Sequence, residues 1–209
     1  MIKLDRRKNV YVMGMSEYPR ITNVLGESPE IEKWRVRVGE REAERISKEA
    51  AEFGDNVHLL TVLHDRKQYR KAELLIGRYP YLHPYYVTWR KWVKEYVGEI
   101  MLVERVVWSR RLRIAGTLDR TLIIKGDREA TIADIKTGGL HEEMGEQLAL
   151  YHLCYREMKL KPKVGRRIVI NMPRVDPGAI RVKDFTNDKY VESALRKVRE
   201  YHLIMRGVK

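Results

Sequence analysis

Three residues, Asp119, Asp134 and Lys136, have side chains suited to phosphoryl chemistry. In a strand, residues two apart project to the same side, so Asp134 and Lys136 of the ADIK run share a face while Ile135 packs the other way. Asp119 lies in the preceding β-forming run, and an antiparallel meander could set it beside Asp134 with Cβ atoms about 5 Å apart. Two carboxylates that close repel each other, and a hard divalent cation, Mg²⁺ or Mn²⁺, relieves the repulsion. The carbonyl of Ile135 could add a further ligand. Such a cation can polarise a phosphate oxygen and acidify a water, which phosphodiester hydrolysis needs, and Lys136 could orient that water or stabilise the transition state. An isolated D-x-K is ordinarily a strand-end ion pair. The surrounding residues reverse that balance.

Glu104 is bracketed by Leu102, Val103, Val106 and Val107. A lone carboxylate in such a half-buried strand needs a partner; the competing reading is an edge-strand glutamate facing water. Gln147 and Tyr151 are spaced i, i+4, so one helical face could present an amide and a phenol to the same substrate strand. A tyrosine at helical spacing with Met144, Leu148 and Tyr155 is otherwise core. His58 could offer an imidazole nitrogen to a metal, or serve as a hydrogen-bonded structural residue.

These positions need a sheet and helices to bring them together. Runs rich in Val, Ile, Leu and Thr at 101–108, 113–124 and 130–136 read as three central strands. RRIVIN and AIRVKDF read as two more, divided by the 173–178 turn region. Val10 to Met15 reads as a short strand and a short helix follows Thr22. Trp34, Val38, Ala43, Ile46 and Ala50 mark an apolar helical face over 31–52. Gly54 is expected to end that helix, with Asp55 and Asn56 capping the next. Residues 67–98 read as helical, broken near Pro80 and Pro84; 142–159 and 188–205 read as further helices. The order points to an α/β or α+β fold, a sheet with helices packed around it. A length of 209 residues suits a single domain, 1–209, with a mainly helical part, 1–99, ahead of a sheet-bearing part, 100–209.

The chain carries 42 Lys and Arg against 29 Asp and Glu, a net charge of +13 that would draw polyanions, nucleic acid first and an anionic membrane second. Arg110, Arg111 and Arg113, with the 161–167 run, are the candidate phosphate contacts, against a solvated face for any one run. The four tryptophans fit a core better than base stacking. No apolar run approaches the ~18 residues of a membrane span, and the first residues lack a signal peptide's apolar stretch, so a cytoplasmic protein without a membrane partner is expected. One cysteine, Cys154, excludes an internal disulfide and argues against a cysteine-ligated iron–sulfur cluster. Five Asn and two Gln among so many charges resemble a thermophile's composition.

Together these residues resemble the RecB-like branch of the PD-(D/E)XK nuclease superfamily, whose order is G-x-x-x-H, a glutamate, G-x-x-D, D/E-x-K and Q-x-x-x-Y. Here these are Gly54 to His58 (GDNVH), Glu104 in VERVV, Gly116 to Asp119 (GTLD), Asp134 to Lys136 in ADIKTGG, and Gln147 to Tyr151 (QLALY). The opening YPRITNVLG is similar to the entry segment of viral and mitochondrial exonucleases of the branch. The resemblance spans residues 10 to 155 and is most specific at GTLD and DIKTG. It implies a restriction-endonuclease-like core with a mixed central sheet. It further implies that His58, Asp119 and Asp134 ligate the metal, that Lys136 acts on the attacking water, and that Gln147 and Tyr151 position the strand, with Glu104 at the site's edge. The expected activity is a Mg²⁺- or Mn²⁺-dependent DNA exonuclease of replication, recombination or repair, from a bacterial, archaeal or viral source, acting on single- or double-stranded DNA. A structure-specific endonuclease or a non-cleaving nucleic-acid-binding module are the alternatives. No G-x-x-x-x-G-K-[ST] occurs, so any helicase or recombination partner is a separate protein. Encircling a DNA end would require a homo-oligomeric ring or a threading arch.

Overall fold

The computed structural model describes residues 2–207. The first residues form a small antiparallel sheet of β1 (Lys3–Asp5), β2 (Val10–Met13) and β3 (Ser16–Pro19), where the sequence suggested one strand. Charged residues hide the pattern: KLD and SEYP alternate weakly, yet Tyr11 and Tyr18 bury one face of this sheet against Ala115. Four helices follow, α1 (Ile21–Leu25), α2 (Pro29–Val38), α3 (Glu40–Asp65) and α4 (Tyr69–Arg78), then a 3-10 turn over Pro80–Leu82 and α5 (His83–Tyr96). Ser28 caps α2 by accepting the Ile31 N–H, with Pro29 at the first helical position.

The expected break at Gly54 does not occur. α3 runs unbroken for 26 residues. The break falls instead at Gly39, between α2 and α3, where φ is 88° and a glycine is favoured. Gly54 serves a different purpose: a Cβ there would lie 3.2 Å from Thr137 Oγ1, so the missing side chain lets α3 approach the turn after Lys136 closely.

The main sheet has five strands in the order β4 (Val97–Ser109), β5 (Ile114–Ile124), β6 (Ala130–Lys136), β7 (Val164–Asn171) and β8 (Arg181–Asp184). β4, β5 and β6 form the antiparallel meander read from the sequence; β6 and β7 are parallel, and β8 returns antiparallel. α6 (Glu143–Glu157) makes the β6–β7 crossover, and α7 (Lys189–Met205) packs beside it. The result is a mixed α/β fold with helices flanking a five-stranded mixed sheet.

Alternation along β6 divides the core in two. Ile132 packs with Leu148, Leu150 and Phe185 beneath α6 and α7. Ala133 and Ile135 pack with Val57, Leu60 and Trp89 beneath α3 and α5. Covered on both faces, Ala130 to Ile135 are all buried. Trp89 and Trp92 stack at 5.4 Å inside this core, as their spacing suggested. No helix among the described residues is long and apolar enough to cross a membrane.

Candidate functional site

β5 and β6 pair only through Arg120–Ala133, Thr121–Ile132 and Leu122–Thr131. One step further in this register, Asp119 faces Asp134, and there the strands part. β6 keeps its partner on the other side, since all seven of its residues pair with β7. The parting exposes backbone groups that the ladder would otherwise satisfy, and side chains take them up: Asp119 Oδ2 accepts the Ile135 N–H at 2.9 Å. Lys136 Nζ lies 2.7 Å from Asp134 Oδ2, so the D-x-K pair shares one face as the strand period requires.

Two more elements close the site. α3 brings His58, whose Nε2 lies 3.1 Å from Asp119 Oδ2 and 3.3 Å from Glu104 Oε1. β4 brings Glu104, next to Asp119 in the β4–β5 register. Glu104 has φ 55° inside a strand, a left-handed conformation that costs roughly 1–3 kcal/mol for a side-chain-bearing residue. His58, Glu104 and Asp119 each place a ligand atom within 4.8 Å of the others. Asp134 lies outside that trio and turns toward Lys136 and Gln147. From α6, Gln147 Nε2 donates to Asp134 Oδ1 at 3.3 Å and to the Tyr151 hydroxyl at 3.0 Å.

Buried polar atoms test whether these residues suit a cation. His58 Nε2, Glu104 Oε1 and Asp134 Oδ2 are buried without an aligned hydrogen bond, despite their close approach to charged neighbours. Buried polar atoms are rarely left so. An imidazole nitrogen and carboxylate oxygens converging in this way fit a divalent ion. The titration behaviour reflects the same crowding. Burial would push the His58 imidazole down, but Asp119 and then Glu104 hold it above its ordinary value. Burial and the Asp119 charge raise Glu104, against His58 and Arg120. Asp119 is held below the usual carboxylate range despite burial, by His58, Lys136 and the Ile135 N–H. Asp134 is pushed up to about 6 by burial, with Asp119 adding to it and Lys136 opposing. Lys136 stays above its ordinary value because Asp134 and Asp119 outweigh its burial.

The motif glycine has a packing reason. A Cβ on Gly116 would lie 2.6 Å from Tyr151 Cε1, so the bare backbone of GTLD is what lets the QLALY tyrosine lie over β5. Arg110, Arg111 and Arg113 sit elsewhere, on the exposed turn joining β4 to β5. Arg113 is six residues from Asp119, about 20 Å along a strand. Glu157 holds the turn by accepting the Arg110 N–H at 2.8 Å and the Arg111 N–H at 3.3 Å.

Sequence reasoning overlooked the support behind the site. The Asp65 and Arg120 side chains are fully buried, with Arg120 Nε 2.6 Å from Asp65 Oδ2. Arg120 also donates to the Asp119 carbonyl at 2.8 Å and to Thr61 Oγ1 at 3.0 Å, while the Trp89 indole donates to Asp65 at 2.8 Å. An arginine inside the apolar run LDRTLII was the available signal, because such a charge needs a buried partner.

A helix-flanked mixed sheet that gathers a histidine, three carboxylates and a lysine where two strands part defines an α/β protein with a candidate metal site. Residues 31–207 match the sequence profile of the PD-(D/E)XK nuclease superfamily, and the chain belongs to that superfamily. Its members generally use divalent metal ions and act on nucleic acid. Among solved structures, the chain is similar to a candidate exonuclease from Eubacterium rectale, at 11% identity and a TM-score of 0.43 over 74% of this chain and 69% of that one. It is also similar to the protein SSO0001, at 15% identity and a TM-score of 0.35 over 72% and 73%. Curated proteins give no match.

Proposed function

We propose that the chain is a single nuclease domain that hydrolyses DNA phosphodiester bonds with Mg²⁺ or Mn²⁺ and trims strands from their ends. The observation that carries this reading is the convergence of His58, Glu104 and Asp119 ligand atoms within 4.8 Å of one another, with the Asp134–Lys136 pair beside them. His58, Asp119, Asp134 and the Ile135 carbonyl would hold the ion, and the geometry adds Glu104 to them. When bound, such an ion supplies Lewis-acid polarisation of a phosphate oxygen and a more acidic water.

The chain's own residues do the rest. Lys136 remains charged against Asp134, so its Nζ can offset charge on the phosphate and orient the attacking water. Gln147 fixes Asp134 through its amide, and with Tyr151 beside it would present that amide to the strand. Arg110, Arg111 and Arg113 can meet only nucleic acid that continues well past the cleavage point. The expected setting is DNA replication, recombination or repair, with any motor supplied by a separate protein.

Linear DNA labelled at one end, compared with the same sequence as a closed circle, tests the end-trimming reading. Nucleotide-sized products from the linear form and an intact circle support an exonuclease; nicking of the circle makes the chain an endonuclease of the same superfamily.

A further inference from the structure

A cleft of about 510 Å³ opens beside the site, lined by Phe53, Tyr81, Tyr85 and Arg174 together with Glu49 and Glu52. Its walls are fastened to the catalytic candidates. Phe53 precedes Gly54, the glycine that abuts Thr137, and lies five residues before His58 on α3. That is a rise of about 7.5 Å along the helix axis, with the two side chains about 140° apart around it. The opposite wall follows β7, where the Met172 N–H donates to the Lys136 carbonyl at 2.8 Å and the Arg174 N–H to the Thr137 carbonyl at 3.2 Å.

The lining is aromatic and fixed. Phe53 stacks on Tyr81 with ring centroids 5.4 Å apart and 25° between planes, and meets Tyr85 edge-on at 5.5 Å. The Tyr81 hydroxyl accepts from Asn56 Nδ2 at 3.0 Å, and the Tyr85 hydroxyl donates to the Pro173 carbonyl at 3.2 Å. Tyr81 is nonetheless 42% exposed, and the exposed Arg174 guanidinium lies 5.1 Å from the Phe53 ring centre. A half-exposed ring in a cleft that also presents a planar cation is a surface on which another planar π-system can stack. Glu49 and Glu52 disfavour a phosphate in the cleft but can accept from the amino edge of a base.

We propose that this cleft is a stacking subsite for an unpaired nucleobase of the strand that leads to the cleavage point. The proposal rests on the nuclease reading for its location, and it makes a single-stranded segment the ligand. Paired bases inside a duplex cannot offer their faces to Tyr81.

The test measures binding by the full chain in EDTA, so that cleavage plays no part. Probes are a single-stranded DNA 12-mer, the same backbone with abasic sites throughout, and the corresponding duplex. Proteins are the wild type, Tyr81→Ala, Tyr81→Trp and Phe53→Leu, each checked for an unchanged melting profile. Tyr81→Ala is expected to weaken single-strand binding at least fivefold, and Tyr81→Trp to retain it. Abasic and duplex affinities should agree within twofold across wild type and Tyr81→Ala. Phe53→Leu, which keeps the apolar bulk, should lose single-strand affinity in the same direction. Equal losses for the base-bearing and abasic strands, or no loss with any strand, would overturn the subsite. Absence of cutting with every metal would sink the nuclease reading and leave this binding comparison intact.

Discussion

Arg120→Met removes the cation at the centre of the buried network while roughly preserving its length. Asp65 then loses a charge-assisted bond of 2.6 Å and keeps only the Trp89 indole at 2.8 Å and His64 at 3.0 Å. Thr61 Oγ1 and the Asp119 carbonyl each lose a donor. Both charged side chains are fully buried, so breaking the pair should cost about 3–5 kcal/mol. For a chain of this size each kcal/mol lowers the melting temperature by ~2–4 °C, which makes the expected fall about 6–20 °C. Calorimetry or denaturant unfolding measures it directly. The paired replacement Asp65→Leu with Arg120→Met leaves no unpaired charge and should recover at least half of that loss, because an apolar pair of similar volume often substitutes for a buried ion pair. A single-variant cost below about 1 kcal/mol, or a double variant as unstable as the sum of the singles, would refute the view that these two charges depend on each other.

Gly116→Ala should cost about 1–3 kcal/mol by overpacking against Tyr151 and Ile21, and should reduce cleavage further by displacing Tyr151 from Gln147; melting and cleavage assays on one preparation separate the two effects. Burial and then Arg167 depress the His152 imidazole to about 4. Its neutral form is therefore favoured by folding, so its stabilisation is complete above about pH 6.5 and is lost as pH falls toward 4. His152→Gln should flatten the melting-temperature decline over that window by the equivalent of about 1–2 kcal/mol, after discounting for partial exposure. Glu104→Ala should weaken Mn²⁺ binding in calorimetric titration by about tenfold or more, whereas a glutamate that only lines the edge would leave the affinity within twofold.

Much of the site was legible because strand and helix periods are short and fixed. Asp134 with Lys136 follows from a period of two, Gln147 with Tyr151 from a period near four, and Asp119 opposite Asp134 from a meander with a short turn. Glu104 was legible as a charge needing a partner, though its left-handed backbone was not, because no local residue pattern announces one. Gly54 misled because a glycine reads locally as a breaker, while its reason here is the approach of Thr137 from more than eighty residues away. The Asp65–Arg120 pair escaped for a similar reason: Arg120 in its apolar run called for a buried partner, but nothing local names Asp65, and only the packing of α3 on β5 joins them. The arginines at 110, 111 and 113 show the converse. Their composition suggests phosphate contacts, but a basic run carries no information about distance, and the sheet holds them far from Asp119.

The most direct test of the central reading is cleavage of labelled DNA by the wild type, Lys136→Ala and Asp119→Asn, in Mg²⁺, Mn²⁺ or EDTA. Cutting by the wild type in either metal, none in EDTA, and a loss of at least a hundredfold in both variants with folding retained is the predicted result. Undiminished cutting by both variants, or cutting that persists in EDTA, would contradict a metal-dependent centre built on these residues.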